Sequence, residues 1–428
     1  MRKILFLIAL LLFGNPTFTQ NSGWTPVNSG TNLNLNAVHS LFETAFVVGD
    51  SGIILKSNDF GQTWQAIQSP TILNLNDVRM LTVNSILVVG DGGLIILSTD
   101  GGNIWQFIPS GVTEDLLSLD VYDGSGIIGG KSQTILYSYL QWGTQWEIRQ
   151  TGLLGGEFSS VYLTLEGEGY VGGDNSISQA LVGKTINSGF IWNFIPFYLN
   201  GNEGKITDID FIWWGIDTAF ASAVLWDGRG AISKSTDNGN TWVTSIFDLP
   251  LNALSIPQTD SLSKGYAVGD SGTIFKSYNL GESWYQQQSG TNGRLNDVHV
   301  FWWYTDTLIA VGDNGTILIT TNGGEPVSEI SSDDTKPTYF SLAQNYPNPF
   351  NPSTKISWQS PVGSWQTLKV YDLLGREVAT LVNEYKPAGE YEVEFSPESS
   401  IKNPASGIYF YTLKAGEFIQ TKKMMILK

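Results

Sequence analysis

The 428 residues include two histidines, His39 and His299. They sit in matching contexts, Asn36-Ala37-Val38-His39 and Asn296-Asp297-Val298-His299. A histidine pair with carboxylates nearby is raw material for a metal site or for proton transfer. The matching position elsewhere in the chain holds Arg79, Asp120, Tyr162, Asp210 and Ser255. A varied polar ring is therefore the simpler reading, with His as one tolerated type. Arg79, Arg149, Arg229 and Arg294 fall at unlike repeat positions, which argues against a convergent arginine cluster. A two-carboxylate glycosidase depends on spacing in space, and the many aspartates single out no pair. No catalytic residue, metal ligand or cofactor is assigned. The candidate ligand-binding set is the ring His39, Arg79, Asp120, Tyr162, Asp210 and His299.

A repeat positions this ring. VVGDSGIILKSNDFGQTWQ (47–65), VVGDGGLIILSTDGGNIWQ (88–106), AVGDSGTIFKSYNLGESWY (267–285) and AVGDNGTILITTNGG (310–324) share one pattern, and looser copies lie between them. The last Trp of each unit is Trp24, Trp64, Trp105, Trp146, Trp192, Trp242 and Trp284. A period near 40 residues holds four short strands and tight turns, which is one propeller blade. Within one unit, 75–80 reads as the inner strand, 86–90 as the second, 94–97 as the third and 104–108 as the outer. The last unit lacks its Trp strand, whereas the chain begins with one. The segment around Trp24 is expected to complete the final blade and leave no open sheet edge. The fold class expected is all-β: a seven-bladed β-propeller over residues 20–324, followed by a small Ig-like β-sandwich.

Ser57 to Trp64 and Ser235 to Trp242 fit S-x-D-x-G-x-T-W, and Ser98 to Trp105 departs from it at Ile104. This resembles the Asp-box, or sialidase-type, repeat, in which Asp and Gly hold a turn and Trp packs between blades. The array, with its LNDV, VGDxG and DxGxTW pieces, looks most like the propellers related to photosystem II assembly factors. That resemblance implies a fold and a scaffold or binding role, and no functional residue. The Arg-Ile-Pro motif of sialidases is absent. Asp50, Asp91, Asp174, Asp270 and Asp313 recur in Gly-Asp turns and are expected to cap those turns. Trp213-Trp214 and Trp302-Trp303 read as blade packing, with sugar stacking as the alternative.

Composition agrees with such a fold. Aromatics make up 12% of residues and charged residues 15%, as suits a turn-rich β protein with an aromatic core. The formal charge of −17 leaves no basic face for nucleic acid. Without cysteine there is neither disulfide nor thiol chemistry. Arg2-Lys3, the apolar run 4–13 and Thr17-Phe18-Thr19 read as a signal peptide over 1–19, too short to span a bilayer. No membrane span is expected in the mature chain, which should be monomeric.

After Gly324 the pattern breaks, and residues 325–338 read as a linker. From 339 to 428, alternating strands at 355–358, 368–371, 391–395, 408–413 and 421–428 suggest the sandwich. Asn345-Tyr346-Pro347-Asn348-Pro349-Phe350-Asn351-Pro352 opens this segment. It is followed by VYDLLGREV around Gly375 and ASGIYFY around Gly407. These three motifs, in this order, resemble the type IX secretion C-terminal sorting domain. The resemblance implies the type IX secretion machinery as partner, and export to the outer-membrane surface or beyond. The expectation for the whole chain is a secreted or cell-surface module binding an extracellular glycan or protein. An extracellular glycoside hydrolase is the alternative. The variable connections from outer to next inner strand, such as 148–158 and 195–206, are the expected specificity elements.

Overall fold

The computed structural model describes residues 23–427 apart from 140–143, 154, 165–167, 178, 198, 200, 202, 213–216, 258–263, 302–303, 326–339, 398–404 and 417. The signal segment 1–19, Trp213-Trp214, Trp302-Trp303 and all of the linker but Glu325 lie outside the described residues.

Four-residue to eight-residue runs rich in Val, Ile, Leu and aromatics, punctuated by Gly and Asp, give short antiparallel strands. They form seven four-stranded sheets, six of which pair neighbours in chain order. Blades 1 to 6 cover 35–66, 75–107, 116–149, 156–196, 204–247 and 251–287. Blade 7 combines 295–324 with the N-terminal strand Gly23–Val27. That strand runs antiparallel to the third strand of blade 7, with Thr25 opposite Ile319 and Val27 opposite Ile317. The ring closes as the sequence predicts. Trp24 is 2% exposed, and its indole N–H donates to Gln287 Oε1 of blade 6 at 2.9 Å. Gly324 has a φ of +74°, and a Cβ there would stand 2.3 Å from the Trp24 indole nitrogen, so this seam requires glycine.

Seven apolar clusters lie between blades, one per seam, and each holds one Trp of the repeat. Trp64 packs where blades 7 and 1 meet, and Trp24 packs between blades 6 and 7. The outer strands are shorter than the sequence reading. In blade 2 only Gln106–Phe107 pairs, and Ile104 is exposed. The reason is position: the outermost strand has a neighbouring strand on one side only and both of its residues are exposed, so little burial supports a longer ladder.

Two further sheets follow. One contains Ser341–Leu342, Thr354–Ser360 and Gly389–Phe395, and the other Glu377–Lys386, Ser364–Tyr371, Gly407–Ala415 and Phe418–Ile426. Their alternating inward residues, among them Ile356, Trp358, Leu368, Val370, Tyr411 and Leu413, make one core. The strand Glu377–Lys386 was not legible in the sequence, because it has an edge position and only Val382 is fully buried on it. Tyr385 of this strand stacks on Tyr278 of blade 6 at 3.9 Å between ring centroids.

Candidate functional site

Each inner strand carries an irregularity near its start. Pairing skips a residue between Leu35 and Ala37, Leu75 and Asp77, Leu116 and Ser118, Phe158 and Ser160, Ile206 and Asp208, Leu251 and Ala253, and Leu295 and Asp297. A β-bulge re-aims side chains and frees backbone groups from the ladder. Here the side-chain amide of the skipped residue bonds across to a carbonyl of the next blade: Asn36 to Leu75 at 2.9 Å, Asn76 to Leu116 at 2.8 Å, Asn252 to Leu295 at 2.8 Å, and Asn296 to Leu35 at 2.9 Å.

The seven inner strands enclose an axial cavity of about 430 Å³. All six sequence-predicted ring residues, His39, Arg79, Asp120, Tyr162, Asp210 and His299, line it, together with Ser255. Their polar atoms form an inter-blade ring. His39 Nδ1 accepts the Met80 N–H at 3.3 Å. Asp120 Oδ2 accepts the Leu163 N–H, and Asp210 Oδ2 the Ile256 N–H, both at 2.8 Å. Ser255 Oγ accepts the Val300 N–H at 3.3 Å. The Tyr162 hydroxyl donates to the Phe211 carbonyl at 3.1 Å, and Arg79 Nε donates to Asp120 Oδ1 at 3.0 Å.

A second ring, two residues earlier along the strands, was missed at the sequence level. Asp77 accepts the Leu119 N–H at 2.7 Å, Asp208 the Leu254 N–H at 3.0 Å, and Asp297 the Val38 N–H at 2.8 Å. The signal was present in LNDV, because residues two apart on a strand share a face. Each of the five aspartates in the cavity also accepts the N–H of the residue that follows it. The carboxylates are thus held in place by the backbone of two blades.

Burial inside the ring is the main cause of unusual protonation. It raises Asp77 and Asp208 to about 6, Asp210 to about 7 and Asp297 to about 8, with neighbouring carboxylates adding to the shift at Asp210 and Asp297. Burial, with Arg79 nearby, lowers His299 to about 3. His39 is lowered as well, by burial, by His299 and by Arg79. Burial opposes the Arg79 charge, but Asp120, Asp77 and Asp210 outweigh it and raise its pKa. At neutral pH the cavity is a rigid polar ring with one fixed cation, two neutral imidazoles and partly protonated carboxyl groups. Such a ring can bond a ligand through fixed donors and acceptors. Among the described residues no three His, Asp or Glu side chains converge as a metal site.

The Gly-Asp turns correct one expectation. Their carboxylates do not simply cap their own turns. Asp50 accepts from the side chains of Asn34 and Asn36 at 3.0 and 3.1 Å, Asp91 from Asn74 and Asn76 at 2.9 and 3.0 Å, Asp270 from Asn252 at 3.1 Å, and Asp313 from Asn296 at 3.0 Å. Asp174 accepts the Glu157 N–H at 3.0 Å. The physical reason is that these turns lie over the bulged inner strand, so its Asn amides are closer partners. In the Ser57 to Trp64 turn the aspartate does act locally. Asp59 Oδ1 accepts the Thr63 N–H at 2.9 Å, and the Trp64 indole donates to Gly61 O at 2.9 Å.

Residues 344–427 match the secretion system C-terminal sorting domain. The segment is a type IX sorting domain, and it directs export to the cell surface or extracellular space. Among the described residues no helix is long and apolar enough to cross a membrane. Two solved structures are similar in fold. YCF48 from Cyanidioschyzon merolae is 16% identical with a TM-score of 0.55, and the match covers 69% of this chain and 98% of that one. YCF48 bound to D1 peptide is 18% identical with a TM-score of 0.55, over 72% of this chain and 98% of that one. No curated protein matches the chain.

Proposed function

We propose that the propeller is an extracellular binding module that takes a glycan or protein ligand at its axial cavity. Residues 1–19 then serve as signal peptide, 20–324 as cargo, 325–338 as tether and 339–428 as address. The observation that carries this reading is the inter-blade ring: five aspartates around one cavity are each positioned by backbone bonds from two blades, and the other polar side chains of the ring bond across to a neighbouring blade. A preorganised ring loses little freedom on binding. The five carboxylates are already engaged by backbone donors, which suits recognition better than proton transfer. The relative of the same fold with a bound D1 peptide supports a protein ligand for a propeller of this kind.

The test is a binding screen of the full chain against peptide and oligosaccharide arrays, run beside a hydrolysis assay on the same sugars. The expected result is a ligand that is bound and not cut, with affinity lowered in His299→Gln. Turnover abolished by substituting a single cavity carboxylate would replace this reading with that of a glycoside hydrolase.

A further inference from the structure

A second cleft, of about 400 Å³, opens on the propeller rim across blades 3, 4 and 5. Successive strands in a blade alternate in direction. The turns between second and third strands therefore share one face with the connections from outer to next inner strands. The cleft lies on that face. Lys131 and Trp226 come from such turns in blades 3 and 5, Asp174 from the end of the second strand of blade 4, and Gly156, Glu157 and Lys205 from the starts of inner strands. Two of its walls thus belong to the connections 148–158 and 195–206.

Trp226 is 49% exposed, whereas the Trp residues of the blade seams pack into apolar clusters. Its backbone is fixed: the Trp226 N–H donates to Glu203 O at 3.1 Å, and the turn after it is closed by Leu225 N–H on Arg229 O at 2.8 Å. An indole at a cleft wall offers a flat apolar face to a ligand. The rest of the wall is polar and of both signs. Lys205 Nζ meets Glu157 Oε1 at 2.6 Å, and Lys131 Nζ meets Asp115 Oδ2 at 2.7 Å.

The size falls within the roughly 300–1,000 Å³ of small-molecule sites. An apolar side chain entering here would strip water from ammonium and carboxylate groups and return no bonds. A strongly anionic ligand would meet the carboxylates Glu157 and Asp174 as well as Lys131 and Lys205. A pyranose ring has one apolar C–H face for the indole. Its rim of hydroxyls both donates and accepts, as the paired charges require. We propose that the cleft beside Trp226 is a subsite for a neutral saccharide, with the indole under one sugar ring and Lys205, Glu157 and Asp174 bonding its hydroxyls. The proposal rests on the reading of the propeller as a binding module but concerns a different place from the axial cavity.

The test uses the full chain on an array of neutral oligosaccharides of glucose, mannose, galactose and N-acetylglucosamine, with heparin fragments as an anionic control. Calorimetry on the best neutral sugar follows, for the unsubstituted chain and for Trp226→Ala, Trp226→Phe and His299→Gln. The proposal expects a neutral sugar to bind, Trp226→Ala to weaken it about tenfold, and Trp226→Phe to retain most affinity. Absence of any neutral sugar from the array, a preference for heparin fragments, or full affinity in Trp226→Ala would overturn the subsite. Sugar affinity lost in His299→Gln and kept in Trp226→Ala would overturn it too, while upholding the axial-cavity reading. A peptide ligand sensitive to His299, with no sugar bound, would do the same.

Discussion

The rings of His39 and His299 lie 4.5 Å apart, centroid to centroid, although 260 residues of chain separate them. They meet because blade 7 adjoins blade 1 across the seam that the N-terminal strand completes. Both are neutral in the folded state, because their pKa values lie below the ordinary 6.5.

The sign of the resulting pH effect follows from where protons bind. As pH falls below about 6.5 the unfolded chain takes up protons at these two histidines and the folded chain does not, down to about 3 for His299. Their contribution to stability is therefore lost on acidification through that window. The double variant His39→Gln/His299→Gln should lose less stability than the unsubstituted chain between pH 7 and pH 5, measured by urea unfolding.

Asp297 runs the other way. Its folded-state pKa of about 8 lies above the ordinary 3.8, so the folded chain holds a proton that the unfolded chain releases. Stability from this group is complete below about 3.8 and is lost as pH rises through 8. Urea unfolding at pH 6 and pH 8.5 should show a loss that Asp297→Asn reduces, since the amide cannot ionise and still offers an acceptor to Val38.

Trp24 closes the ring by burial and by its bond to Gln287. Trp24→Ala should cost about 3–5 kcal/mol, the range for truncating a large buried side chain. Thermal unfolding would measure it. A cost below about 1 kcal/mol would mean that the seam does not depend on this strand.

Lys276 of blade 6 is 2% exposed along its side chain and pairs with Glu325 at 2.7 Å, just where the chain leaves the propeller. Tyr278 donates to the same carboxylate at 2.7 Å and stacks on Tyr385 of the sandwich. Glu325→Ala leaves a buried ammonium without its counter-charge and should cost about 3 kcal/mol. Glu325→Gln should cost less, because it keeps acceptors for Lys276 and Tyr278. Denaturant unfolding of both variants checks the order.

The six ring residues were legible because one strand position recurs in every unit, so that aligning the units aligns the ring. Their partners were not. The Leu163 N–H that holds Asp120, or the Val38 N–H that holds Asp297, belongs to the neighbouring blade. Both groups lie on the unpaired edge of an inner strand, and only ring closure brings that edge against its partner. Trp226 was passed over for a similar reason: it stands in the turn between second and third strands of a divergent unit, and its place at a cleft depends on residues from blades 3 and 4.

The sequence by itself determined seven units, the donation of the first strand to the last unit, and the export address in three ordered motifs. These rest on alternation, turn chemistry and spacing, which act over a few residues and repeat. The tertiary structure alone decided that two histidines touch, that five aspartates are gripped by two blades each, and that a cleft with one exposed indole opens on the rim. Such relations join residues roughly 40 to 260 positions apart, and they exist only once strand twist and ring closure have set the distance between blades.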